Sequence, residues 1–304
     1  MRTFLLTLLV VFFMPIWADI EDRLKKVENK NPNSTLPNID FIYLINLDQR
    51  PEKLAYSLRQ LAPYGISPTR FSAVNGWELS LEEINDVGVK YSIEMKGGWL
   101  GTSYLTLEPS HEIIQSIGQT YFGHCQARGT IGIALSHISI LQDAYDSGYE
   151  TIWIMEDDIE VLRDPRILSD LIEELDRSTG EKNWDILFTD RDIRDRNGHY
   201  VPTYYAGLRP DYVSTNVFGL REQINEYFIK IGARSGAHSM ILRRSGIKKL
   251  LQFFKAHNIF LPYDMDFILP QGIQMYTVSE DIVSNLPTAP SDNGGPNYLN
   301  EIRQ

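Results

Sequence analysis

The sequence predicts an α/β fold: a mostly parallel sheet flanked by helices, in a single large domain. Three observations predict it. Nearly continuous apolar runs bounded by polar residues, such as IDFIYLINLD and TIWIM, read as strands buried on both faces. Segments with apolar residues at helical spacing separate these runs, giving the strand-helix alternation of parallel sheets. Several runs end in carboxylates, at the strand ends where open α/β sheets hold their ligands.

In chain order, residues 1–18 (MRTFLLTLLVVFFMPIWA) carry one early cation, Arg2, then an apolar run from Phe4 to Trp17 interrupted by Pro15. This is the layout of a signal peptide with a cleavage point after Ala18, or of an anchor. The run is short for a bilayer span, which needs about 20 apolar residues. The expectation is export to a periplasm, the exterior or an endoplasmic reticulum lumen. An anchored form would sit at the cytoplasmic face of a membrane, and either way residues 1–18 imply membrane proximity. Residues 19–38 are polar with Asn-Pro and Leu-Pro pairs and read as a linker. The domain is expected over 39–290, and 291–304 as a C-terminal tail.

Within the domain, Ile39 to Asp48 is the first strand. Leu54, Leu58 and Leu61 follow at helical spacing, with Gly65 as a stop. PTRFSAVNG is a short strand that closes on Asn75-Gly76. Residues 91–127 show no period and read as a long functional loop or lid. Ile133, His137, Ile140, Leu141 and Ala144 mark a helix, and TIWIMEDDIEV a strand that ends in three acids. A helix over 165–177 leads to WDILFTD, again a strand ending in an acid. Asn197-Gly198 signals a hairpin. AHSMILRR reads as a strand and GIKKLLQFFKAHN as a helix, with YDMDFIL and IQMYTVSED as late strand-like pieces.

Composition narrows the function classes. The 304 residues are 43% hydrophobic and 23% charged, which excludes a disordered chain. Lys plus Arg number 29 against 40 Asp plus Glu, a net charge of −11 that repels a nucleic acid backbone. Cys125 stands alone, so neither an internal disulfide nor a cysteine-rich zinc site can form. It reads as a small packed residue.

The triplet Glu156-Asp157-Asp158 carries the chemistry. Adjacent carboxylates repel one another unless a cation lies among them, and hard divalent ions prefer oxygen. In an extended segment Glu156 and Asp158 share one side, with Asp157 opposite. Such a pair can share Mn²⁺ or Mg²⁺, which would bridge a diphosphate. A solvated acidic turn is the alternative, and the triplet alone leaves both open.

Six blocks in order resemble glycosyltransferase family 25, which includes lipooligosaccharide and procollagen galactosyltransferases. They are IYLINLDQRPEKL, RFSAVNG, GTIGIALSHISIL, WIMEDDIEV, SGAHSMILRRSGIKKLL and LPYDMDF. The resemblance runs from Ile42 to about Ser284. It implies a GT-A-like (Rossmann-like) fold and inverting transfer of a hexose from a nucleotide sugar, typically UDP-galactose. The acceptor would be a hydroxyl of a glycan, lipooligosaccharide or glycoprotein. It makes Asp158 the first metal ligand, with Glu156 and Asp157 next, and His238 as a late ligand or phosphate donor. Asp157 would contact the donor. Asp264 in the Pro-x-Asp block would be the base, with Asp266 (same side of a strand) and Asp190 as further candidates. Asn46 and Asp48 would meet base or ribose, and Arg50 a phosphate. Ala73, Asn75 and Gly76 would wall the base pocket. Ser136 and His137 lie on the helix before the acidic strand, where His137 is equally at home as a buried structural residue.

The chain departs from the family habit at Ile133, where cysteine is frequent, at Asn75, where an acid is common, and at Gln49, where arginine is common. Two other function classes stay in view. A metal-dependent phosphoesterase would need further clustered His and Asp ligands. A carbohydrate-binding or secreted effector descendant of the fold would need no catalysis.

Overall fold

The computed structural model describes residues 20–30, 36–96, 100–181, 183–200, 209–212 and 218–301. The expected signal or anchor at 1–18 lies outside them. Among the described residues no helix is long and apolar enough to cross a membrane.

The first unit is β1 (Phe41–Asn46), α1 (Pro51–Leu61) and β2 (Thr69–Ser72), with the two strands parallel. Pro51 at the first helical position starts α1, and Gly65 in the left-handed region at φ 72° ends the short turn after it. Next, α2 (Leu81–Val87) is closed at its start by a Ser80/Glu83 capping box. Four short strands follow: β3 (Val89–Lys90), β4 (Leu100–Ser103), β5 (Ser110–Ile113) and β6 (Thr120–Gly123). They form a separate antiparallel sheet in the order β3-β6-β4-β5. The expected irregular loop over 91–127 is therefore corrected to a small β insert. Its strands escape a periodicity search because polar Thr102, Ser103 and Thr120 are buried while Leu100 and Ile113 are exposed. Cys125, just beyond β6, is exposed rather than packed.

The long α3 (Arg128–Asp146) leads into β7 (Thr151–Glu156), the short β8 (Ile159–Val161), α4 (Leu168–Thr179) and β9 (Ile186–Phe188). The Asn197-Gly198 signal is a tight turn, with Arg194 and Tyr200 bridged across it. Then come β10 (Arg221–Gln223), β11 (Phe228–Ile231), β12 (Ser239–Arg243), α5 (Arg244–His257), α6 (Tyr263–Asp266), β13 (Met275–Val278), β14 (Val283–Asn285) and α7 (Tyr298–Glu301).

Among the described residues the main sheet has eight strands in the order β10-β11-β13-β9-β12-β7-β1-β2. Only β11 and β12 run against the rest, as their pairings show. Alternation along the central strands divides the core in two. Phe41, Tyr43, Ile45, Ile152 and Ile154 face α3 and α5; Ile42, Leu44, Trp153 and Met155 face α1 and α4. The layers are thus helix, sheet, helix. Residues expected as a linker are packed as well: Ile20 is fully buried, and Arg23 pairs with Asp86 on α2.

YDMDFIL is not a strand. Pro262 opens α6, where the Asp266 N–H donates to the Pro262 carbonyl at 3.0 Å. Two residues on a helix lie about 200° apart, so Asp264 and Asp266 face opposite ways.

Candidate active site

The carboxyl ends of β1, β2 and β7 open onto a cleft roofed by the start of α3. Asn46, Arg50, Ala73, Asn75 and Gly76 line it from the β1 and β2 side. Ser136, Glu156, Asp157 and Asp158 line it from α3 and β7. Close backbone approach shapes the cleft. A Cβ on Gly76 would lie 1.8 Å from the Arg128 carbonyl oxygen, and one on Gly132 would lie 2.5 Å from Val74 O. Only glycine lets α3 press against the loop 73–77. Ser136 fastens the two, accepting from Val74 N and donating to Gly132 O, both at 2.8 Å.

The acidic strand end is not extended throughout. β7 stops at Glu156, and Asp157 and Asp158 form a turn. The expected alternation of three side chains is corrected accordingly. Glu156 bonds His137 Nε2 at 2.9 Å, and the His137 ring stacks on Tyr263 with centroids 4.2 Å apart. Burial presses the Glu156 carboxyl upward most strongly, but His137, His238 and Lys53 together outweigh it and hold Glu156 below the usual range. Asp157 accepts from Asn46 Nδ2 at 2.7 Å, yet burial pushes it up to about 7. Asp158 is raised by burial and by the neighbouring Glu156 charge, and its buried Oδ1 has no hydrogen-bond donor among the described residues. This is an under-compensated negative cluster, and its oxygens suit a hard divalent cation. Among the described residues no three His, Cys, Asp or Glu side chains form a complete metal cage. Mg²⁺-type ions need none when substrate phosphates supply the remaining oxygens.

A second, smaller cavity adjoins the first. Thr130, Gly236, Pro262, Tyr263 and Asp264 contribute to its wall. Asp264 Oδ2 accepts from Gly236 N at 2.7 Å. Gly236 sits at φ 82°, the left-handed region that aims its N–H at the carboxylate. Burial raises the Asp264 carboxyl, the Gly236 bond lowers it, and the Glu156 charge raises it further; the net shift is upward.

Several expected site residues stand elsewhere. Asp266 is fully buried, 2.8 Å from Arg209, and accepts from Phe260 N and Leu261 N. It cannot meet an acceptor. Asp190 is also fully buried, with Arg234 and His238 each at 2.7 Å and Ser284 Oγ donating at 2.8 Å. The same pair occupies His238 Nε2, so His238 buttresses Asp190 instead of joining the acidic cluster. Asp48 lines an outer groove and pairs with Arg70 and Ser72. Asn46 spends its amide on Arg50 O, Asp157 and Arg70, which leaves it a positioning residue.

Two groups escaped the sequence. Lys53, in the first turn of α1, lines the cleft with Nζ 3.9 Å from Asp157 Oδ1. Its position after the first strand was the available signal. The tail is the other. Ser291, Asp292 and Asn293 line the cleft, and Asp292 takes the Arg50 guanidinium in two bonds of 2.7 and 2.8 Å. Arg50, expected to meet a phosphate, is thereby neutralised by the chain itself.

An α/β sheet with an acidic cleft at its carboxyl edge defines the class. The particular family follows from comparison with known proteins. The model of glycosyltransferase family 25 (LPS biosynthesis protein) matches residues 39–268, and the chain belongs to that family. It is 27% identical to a glycosyltransferase 25 family member of Drosophila melanogaster over 170 residues, 56% of this chain and 24% of the relative. It is 24% identical to procollagen galactosyltransferase 1 of Danio rerio over 177 residues, 57% and 25% of the two chains. An inactive glycosyltransferase 25 family member 3 of Homo sapiens is also 24% identical, over 153 residues, 50% and 22% of the two chains. The chain thus spans about a quarter of the length of these relatives.

Proposed function

We propose that this chain is an inverting glycosyltransferase that moves a hexose, galactose first among them, from a UDP-sugar to an acceptor hydroxyl. The observation that carries this reading is the pair of adjoining cavities. One holds the acidic strand end and Lys53, suited to a nucleotide diphosphate. The other holds Asp264, and Glu156 stands in the wall of both. A donor in the first cavity and an acceptor in the second would meet from opposite sides, as inversion requires.

Asp158, with Glu156 beside it, is the carboxylate pair that would hold a divalent ion. When bound, such an ion supplies charge to offset the leaving diphosphate. Lys53 adds a positive charge on the same side. Asp264 accepts the acceptor hydroxyl proton as that oxygen bonds the anomeric carbon and the bond to the diphosphate breaks. Burial raises its affinity for a proton, which favours accepting one. His137, fixed by its stack on Tyr263, holds Glu156 in place. Membership of a family described by lipopolysaccharide synthesis, with procollagen galactosyltransferases among the relatives, supports a glycan or glycoprotein acceptor. The apolar residues 1–18 support an exported or membrane-proximal location.

The test is donor turnover by the full chain with Mn²⁺ across a panel of UDP- and GDP-sugars, beside Asp158→Asn. Metal-dependent release of UDP from one donor, absent in the variant, is expected. Turnover of no donor together with no nucleotide binding would overturn the catalytic reading in favour of a binding or effector role.

A further inference from the structure

The matched family region ends at residue 268, yet residues beyond it complete the cleft. The segment 290–298 lies along the cleft wall as a strap with many fastenings. Lys53 Nζ donates to the Pro290 carbonyl at 2.7 Å. Asp292 gives both carboxylate oxygens to buried Arg50, accepts from Tyr298 N at 3.2 Å, and offers its carbonyl to Trp77 Nε1 at 2.7 Å. Tyr298 OH accepts from Asn75 Nδ2 at 2.9 Å. Gly129 makes room for the strap: a Cβ there would lie 2.6 Å from the Asn293 carbonyl oxygen and 2.9 Å from its Cα. These contacts use Arg50, Asn75 and Gly129, which the sequence places in the donor wall or at the start of α3. The strap is therefore built into the site.

Ile133, Glu156 and Asn293 line both cavities. If the diphosphate occupies one and the acceptor the other, the transferred sugar lies at this junction. Ile133 is apolar. Glu156 is engaged by His137. Asn293 is exposed, and its side-chain amide makes no hydrogen bond among the described residues. An amide offers donors and an acceptor, the chemistry that reads a sugar hydroxyl's position. We propose that Asn293, held at the junction by the strap, is the residue that sets selectivity for the transferred hexose. This rests on the transferase reading given above.

The experiment compares the full wild-type chain with Asn293→Ala. UDP affinity is measured by calorimetry, and kcat/KM with UDP-galactose and its C4 epimer UDP-glucose. The variant is expected to bind UDP within about twofold of wild type. Its kcat/KM for the preferred donor should fall about tenfold, the loss of one hydrogen bond, and the ratio between the epimers should move toward one. Gly129→Ala, which displaces Asn293, should shift the ratio the same way. An unchanged ratio in Asn293→Ala would overturn the proposal. So would a fall in UDP affinity that matches the fall in kcat/KM, because Asn293 would then support the nucleotide and not read the sugar. A wild-type chain that binds no UDP and turns over neither donor would instead sink the transferase reading, and this inference with it.

Discussion

Replacing Asp264 with Asn removes a charge and keeps a shape. The amide oxygen can still accept from Gly236 N, now at 2.7 Å from Oδ2, so the loop geometry should survive. What is lost is the proton acceptor, and a positioned general base contributes about 10²–10⁴-fold. Turnover should fall by that factor. UDP affinity should not change, because Asp264 lines the second cavity and not the first. Stability moves the other way. Burial is the first cause of the raised Asp264 carboxyl, so its ionised form is disfavoured in the fold. The folded state then binds more protons than the unfolded one, and this group's contribution falls as pH rises above the ordinary carboxylate value toward the raised one. At neutral pH Asp264→Asn should melt no lower than wild type, with a higher Tm as the expected direction. The assay is UDP release under saturating donor, with calorimetric UDP binding and thermal melting on the same preparations. A variant within tenfold of wild-type turnover would refute Asp264 as the base. A parallel loss of UDP affinity would refute the division of the cleft into two cavities.

Other perturbations test the frame around the site. Asp190→Ala leaves Arg234 and His238 buried without their partner and should cost about 3–5 kcal/mol in denaturant unfolding. Burial presses Asp190 upward, but Arg234 and then His238 outweigh it and hold it low. Its stabilisation is thus complete above the unfolded carboxylate value of about 3.9 and lost as pH falls below it. Acid titration of wild type should show that loss, and Asp190→Ala should lack it. Gly132→Ala puts a Cβ 2.5 Å from Val74 O and Gly76 N, and should cost about 1–3 kcal/mol by overpacking. Because the displaced loop walls the cleft, UDP affinity should weaken in the same variant. Normal stability and affinity there would contradict the close approach of α3.

The layered fold was legible because its signals are local. Continuous apolar runs marked β1 and β7, and apolar residues at helical spacing marked α1 and α3. The β insert was less so, since its strands bury polar residues and expose apolar ones. The Pro262-initiated α6 reads as a strand in the linear sequence because four residues carry no usable period. That difference matters, since period two places Asp264 and Asp266 together and the helix separates them.

The sequence by itself determined the alternation of strands and helices, the acidic end of β7 and the glycines at 76, 129, 132 and 236 that only close backbone approach or a left-handed turn explains. Tertiary structure alone decided which polar groups remain available. Asp190, Asp266, His238 and Arg50 resemble site residues in the linear chain, yet each is consumed by a distant partner. Asp292 reaches Arg50 across 242 positions, and Arg209 reaches Asp266 across 57. A buried charge must be paired wherever the fold brings a counter-charge, and no short-range pattern encodes that meeting. The same long-range closure carries the tail onto the cleft and sets Asn293 where its two cavities join.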